Sequence, residues 1–191
     1  MPLQLRPQLA REEPELLGRI PSGRAIHGDG MPLRRGLAQL IVCGLVLTGA
    51  ACRKHLPIPD GDIAATLTAK TLADQPFDPA SLRGKPTIVV FAWPTCPHCI
   101  KEIPIAQQVA ASERAGMVVV FVRGSRQAAG EIVAELKLTA PVLVDDGTLR
   151  NRYAVNAVPY TLVLGPDGHA TDVFRGAQDE ATLRSALADA R

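Results

Sequence analysis

The sequence predicts an α/β domain built on a central mixed sheet with helices on both faces. Three observations carry that reading. Residues 87–93 (TIVVFAW) and 117–122 (MVVVFV) are uncharged and β-branched throughout, as strands covered on both sides should be. Helical patterns follow each of them, the arrangement of parallel βαβ units. Near the C-terminus, Gly165-Pro166-Asp167-Gly168 reads as a turn between two further strand-like runs, and an amphipathic segment closes the chain. Composition agrees: 47% of the 191 residues are apolar and 21% are charged, ordinary values for a chain that buries a core. The net charge is +2, no basic run exceeds two residues and aromatics make up 4%. Nucleic-acid binding through a basic face or a stacking platform is thereby excluded. Sixteen glycines and sixteen prolines, spread without a period, exclude collagen and solenoid architectures.

In chain order, a targeting segment comes first. Residues 36–51 (GLAQLIVCGLVLTGAA) carry no charge, fewer than the roughly 20 residues of a membrane-spanning helix. Arg34 and Arg35 precede them, and Arg53 and Lys54 follow. A basic start, an apolar stretch and small residues before a break are the pattern of a secretory signal. Met31 to Ala51 makes a signal peptide or short membrane anchor by itself, so residues 1–30 read as a misassigned start or a dispensable N-terminal extension. The run Thr48-Gly49-Ala50-Ala51-Cys52 resembles a bacterial lipobox, with Cys52 as the lipidated residue, although Gly49 stands where that pattern has leucine. Ordinary cleavage before Cys52, or an uncut anchor, fits the same residues. From Cys52 onward the chain has 15 basic and 15 acidic residues. Residues 52–61 are polar and proline-rich and read as a tether to a domain over 62–191.

Within that domain, residues 66–72 suit an edge strand and 77–85 a loop with one helical turn. Residues 87–93 form the first buried strand, and a helix follows from about Pro97 to Ala115, interrupted and kinked at Pro104. The second buried strand is 117–122, and Ser125 can N-cap a helix through Leu136. A short strand at 141–144, a connection over 151–157, and strands at 160–164 and 170–174 come next. The last helix, 179–190, carries Leu183 and Leu187 at i, i+4.

One motif carries chemistry: Trp93-Pro94-Thr95-Cys96-Pro97-His98-Cys99, at the turn from buried strand to helix. Cys96 falls at the N-cap and Pro97 at the first helical position, where a missing N–H costs nothing. The helix start favours a thiolate at Cys96, and a protonated His98 adds to that. Such a thiolate attacks disulfides, and Cys99, one turn on, resolves the mixed intermediate. The plainer reading, a structural disulfide, is disfavoured by the strain of so short a loop.

These residues resemble a known family. With Leu82-Arg83-Gly84-Lys85, Phe91-Ala92-Trp93, Lys101-Glu102-Ile103-Pro104, Val158-Pro159 and Gly165 to Gly168, the chain from Asp62 to Arg191 is similar to the TlpA/ResA-like, membrane-tethered thiol:disulfide oxidoreductases of thioredoxin-like fold. The resemblance implies that Pro159 is cis and faces Cys96, and that the Val158 backbone binds a substrate chain. It implies that Trp93, Pro97 and His98 shape the site, and that Glu102 sits near the cysteines and tunes them. A solvated helix face is the plain alternative for Glu102. The pair Pro97-His98 equals that of the DsbA oxidases, whose potential of about −120 mV contrasts with about −270 mV for thioredoxin. The Pro-Thr-Cys-Pro-x-Cys run is also similar to the methylamine-utilisation redoxins. The direction of electron flow stays open.

Other chemistries fit less well. Zinc wants about four ligands, and only His98, His55 and His169 accompany the pair. A c-type haem site needs histidine after the second cysteine, where Ile100 stands. Copper delivery wants a wider cysteine spacing, and peroxidatic chemistry wants its threonine further before the cysteine than Thr95. No metal or cofactor is expected. The expected partners are protein thiols or disulfides on the periplasmic side of a bacterial membrane, a redox donor or acceptor, and the membrane itself. The alternative is a non-catalytic module that binds clients or delivers copper during cytochrome or metalloenzyme maturation.

Overall fold

A computed structural model describes residues 57–191. The extension over 1–30, the signal or anchor over 31–51, and the start of the tether with Cys52 and His55 lie outside the described residues.

Six strands form one sheet: β1 (Lys70–Thr71), β2 (Thr87–Ala92), β3 (Gly116–Phe121), β4 (Val142–Val144), β5 (Tyr160–Leu164) and β6 (Ala170–Arg175), in the spatial order β1-β4-β3-β2-β5-β6. β2, β3 and β4 run parallel, β5 pairs antiparallel with β2, β6 antiparallel with β5, and β1 antiparallel with β4. Every residue of β2, β3 and β5 is buried, which is why these runs show no polar alternation. Successive side chains of a strand point to opposite faces, so β2 feeds two cores. Ile88, Val90 and Ala92 pack with Ile103 and Ala106 of α2 (Pro97–Ser112) and with Leu183 and Leu187 of α5 (Glu180–Asp189). Val89 and Phe91 pack with Ile63 of the short α1 (Ile63–Thr66) and Leu149 of the short α4 (Thr148–Arg152). Ser125 caps α3 (Arg126–Glu135) and Asp179 caps α5, each accepting the N–H three residues on.

Three expectations are corrected. Residues 66–72 do not form one strand: Thr66 ends α1, whose N-cap Asp62 accepts the Ala65 N–H, and only Lys70–Thr71 pair with β4. Asp62 and the burial of Ile63, Ala64 and Leu67 favour a helical turn there. α2 is continuous through Pro104 and stops at Ser112, because one missing backbone donor is outweighed by the buried neighbours Ile103 and Ala106. α4 was not anticipated, since it buries only Leu149. The Asp145 carboxylate organises it by accepting the N–H groups of Leu149 and Arg150, both at 2.9 Å.

Candidate active site

β2 ends at Ala92 and the chain turns at once into α2, closed by a bond from the Cys96 N–H to the Trp93 carbonyl at 3.1 Å. Cys96 keeps an extended backbone (φ −89°, ψ 112°) as the N-cap, and Pro97 opens the helix. The Cys96 Sγ accepts the Cys99 N–H at 3.3 Å, so the sulfur occupies the place a serine or aspartate oxygen takes in an ordinary cap. Both cysteines are free thiols. Cys96 is 9% exposed and Cys99 is 0% exposed, an asymmetry set by helix geometry: the first residue lies at the rim and the other faces the sheet.

Opposite Cys96 lies the Val158-Pro159 segment, and its peptide bond is cis. The Cys96 Sγ donates to the Val158 carbonyl at 3.8 Å. Pro159 is buried, and its carbonyl accepts the Gly176 N–H at 2.9 Å, which ties the segment to the end of β6. Val158 is half-buried. Pro97 and His98 are exposed on the first turn of α2.

Electrostatics divide the deeper part of the site. Burial pushes the Cys99 thiol well above its ordinary value, and the hydrogen bond and charge of Cys96 and the charge of Glu102 act the same way. Glu102 follows Cys99 by three residues on the same helix face and is 0% exposed. This removes the solvated-face alternative, because that face of α2 packs against β5 and the segment before α5. Burial raises the Glu102 carboxyl, while two donors pull it back: the Thr161 hydroxyl to Oε1 at 2.6 Å and the Gln178 N–H to Oε2 at 3.2 Å.

Trp93 is half-buried beneath Arg123, whose guanidinium carbon lies 4.8 Å from the ring centroid. The next residue, Gly124, has φ +95°, and a Cβ there would stand 3.1 Å from the Pro94 ring. Cys96, Cys99, Glu102, Trp93, Val158 and Pro159 are therefore gathered about one point of the fold. His169 is exposed and pairs with Asp167 on the β5–β6 turn. Among the described residues no three His, Cys, Asp or Glu side chains gather as a metal group. A cavity of about 500 Å³ lies at the β1–β4 edge, lined by Lys70, Arg126 and Asp145 rather than by the cysteines. Sequence reasoning missed Arg123, Thr161 and Gln178. Only Thr161 had a signal, a hydroxyl inside the apolar run TLVL.

Comparison with known proteins shows the family and the fold. The secreted antigen MPT53 of Mycobacterium tuberculosis is 39% identical over 108 residues, which make up 56% of this chain and 62% of that protein. The alignment thus spans under two thirds of that relative's length. The thiol-disulfide oxidoreductase ResA of Bacillus subtilis is 24% identical over 157 residues, 79% of this chain and 88% of that one. The crystal structure of a secreted Mycobacterium tuberculosis disulfide oxidoreductase homologous to E. coli DsbE superposes with a TM-score of 0.60 at 34% identity. It covers 68% of this chain and 99% of its own. Residues 61–173 match the AhpC/TSA family, a span that runs from α1 into β6 and takes in both cysteines, and the chain belongs to that family as a redoxin of thioredoxin-like fold.

Proposed function

We propose that this protein is a thiol:disulfide oxidoreductase acting on the thiols and disulfides of exported proteins through Cys96 and Cys99. The observation that carries the reading is the Cys96 sulfur at the head of α2, met by the Cys99 N–H on one side and the Val158 carbonyl on the other. In the reducing direction the Cys96 thiolate attacks a client disulfide. A Cys96–client bond forms, the client S–S bond breaks, and one client sulfur leaves as a thiolate. The Cys99 sulfur, freed of its proton, then attacks Cys96, releasing the second client thiol and leaving a Cys96–Cys99 disulfide. The oxidising direction runs the same steps in reverse.

The remaining residues support these steps. The Cys99 N–H points at the sulfur on which negative charge develops. The Val158 backbone, beside cis Pro159, offers hydrogen bonds to an extended client segment. Trp93, Pro97 and His98 form the rim where that segment would lie. The raised Cys99 thiol needs a proton acceptor, and Glu102 is the neighbouring carboxyl. We place the domain on the periplasmic side of a bacterial membrane, held by a lipid at Cys52 or by the apolar stretch before it, with a separate redox partner restoring the pair.

The test is the reduction potential of the pair, measured on the full chain in glutathione buffers and read from Trp93 emission, the chain's one tryptophan. A value near or above about −150 mV marks a disulfide donor, and one below about −220 mV marks a reductant. Failure of the pair to exchange, or exchange that persists in Cys96→Ser, overturns the reading and leaves a client-binding module.

A further inference from the structure

We propose that Thr161 governs the proton on the buried carboxyl beside the cysteine pair, acting as a positioning residue for the Cys99 step. The inference rests on the exchange reading above and deepens it. Thr161 lies on β5, is 0% exposed, and places its hydroxyl 2.6 Å from Glu102 Oε1. The other oxygen, Oε2, faces the Gln178 N–H at 3.2 Å.

The two partners are not equivalent. A backbone amide only donates, so a proton on Oε2 would meet another hydrogen. A hydroxyl donates or accepts by rotating about one bond. With Glu102 ionised, Thr161 donates to Oε1. With Glu102 protonated, the proton sits on Oε1 and the Thr161 oxygen accepts it. Thr161 therefore suits both states, whereas Gln178 holds Oε2 as an acceptor in each. In the reaction, Cys99–SH and the Glu102 carboxylate become the Cys99 thiolate and the Glu102 carboxylic acid, and the thiolate then attacks Cys96. A negative charge on Glu102 pushes the Cys99 thiol further up, so protonation of the carboxyl eases ionisation of the thiol. On α2 the titratable group that interacts with Glu102 is Cys99. From β5 and from the segment before α5 the hydrogen-bond partners of Glu102 are Thr161 and Gln178, neither of which titrates. Asp179, next in the chain, caps α5 at the Thr182 N–H, and the β2 side chains packed on α2 are apolar.

The experiment follows the Glu102 side-chain carboxyl carbon by NMR through a pH titration of the full chain, with the resonance assigned by its absence in Glu102→Gln. Thr161→Val should raise the midpoint by about one pH unit, the difference between a hydrogen bond to the charged carboxylate and one to the neutral acid. Thr161→Ser, which keeps the hydroxyl, should leave it in place. An unmoved midpoint in Thr161→Val, or equal shifts in the valine and serine variants, overturns the proposal. Should Thr161→Val not fold, Thr161→Ala is read by the same criteria. The acid limb of the pH profile of thiol exchange should move with the midpoint, and an unmoved limb would disconnect Thr161 from the cysteine step. The NMR midpoint needs no exchange activity, so an inactive chain with the expected shift would sink only the exchange reading.

Discussion

Replacing Glu102 by glutamine removes a charge from a fully buried position while keeping the side chain's shape. In the unfolded chain this carboxyl ionises near its ordinary value of 4.5, and in the folded chain burial holds it higher despite its two hydrogen bonds. Below pH 4.5 it is protonated in both states and costs nothing. Between 4.5 and the raised folded value, the folded chain keeps a proton that the unfolded chain has released. Stability therefore falls as pH rises, by up to about 1.4 kcal/mol per pH unit, and levels off above the folded value. Glutamine does not titrate and can keep both contacts, its carbonyl accepting from Gln178 and its amide donating to the Thr161 oxygen. The stability of Glu102→Gln relative to the parent should be flat below pH 4.5, rise by up to that slope, and reach a plateau. Denaturant midpoints of both proteins from pH 4 to 8 measure it. Staying below pH 8 avoids the Cys99 thiol, whose raised value lowers stability in alkali in both proteins. Parallel curves, or a parent that gains on the glutamine variant with rising pH, would refute the reasoning.

Three further outcomes are expected. Cys99→Ser should trap client chains as mixed disulfides at Cys96, visible on non-reducing gels, and continued multiple turnover would rule out Cys99 as the resolving thiol. Gly124→Ala should lower stability by about 1–3 kcal/mol in denaturant melts, because its φ of +95° and the Pro94 ring at 3.1 Å both oppose a Cβ; parent-like melting would contradict the close approach. Arg123→Ala should cost about 0.5–1 kcal/mol and shift the emission of the single tryptophan, Trp93, which it covers. An unchanged spectrum would mean the guanidinium does not stack on the ring.

How much of this was legible depended on how far apart the deciding residues lie. The sequence by itself determined β2, β3 and β5 to within about a residue, since an uninterrupted apolar run rich in β-branched residues has nowhere to go but a sheet covered on both sides, and β6 followed from the Gly165–Gly168 turn that returns the chain beside β5. It also determined the helix starts at Cys96, Ser125 and Asp179, because each cap is a bond to an N–H three residues on. Tertiary structure decided the rest. β1 is two residues long because only Lys70 and Thr71 meet Leu143 and Val144. Glu102 is indistinguishable in sequence from a solvated helix position, and it is buried because Thr161, 59 residues away, and Gln178, 76 residues away, close over it. Arg123 covers Trp93 only because β3 runs parallel beside β2 and delivers both residues to the same end of the sheet. Caps and apolar runs are short-range and act within a few residues. The environment of the carboxyl and of the indole exists only once distant strands have paired, so the cysteine motif could be read from the chain and the groups around it could not.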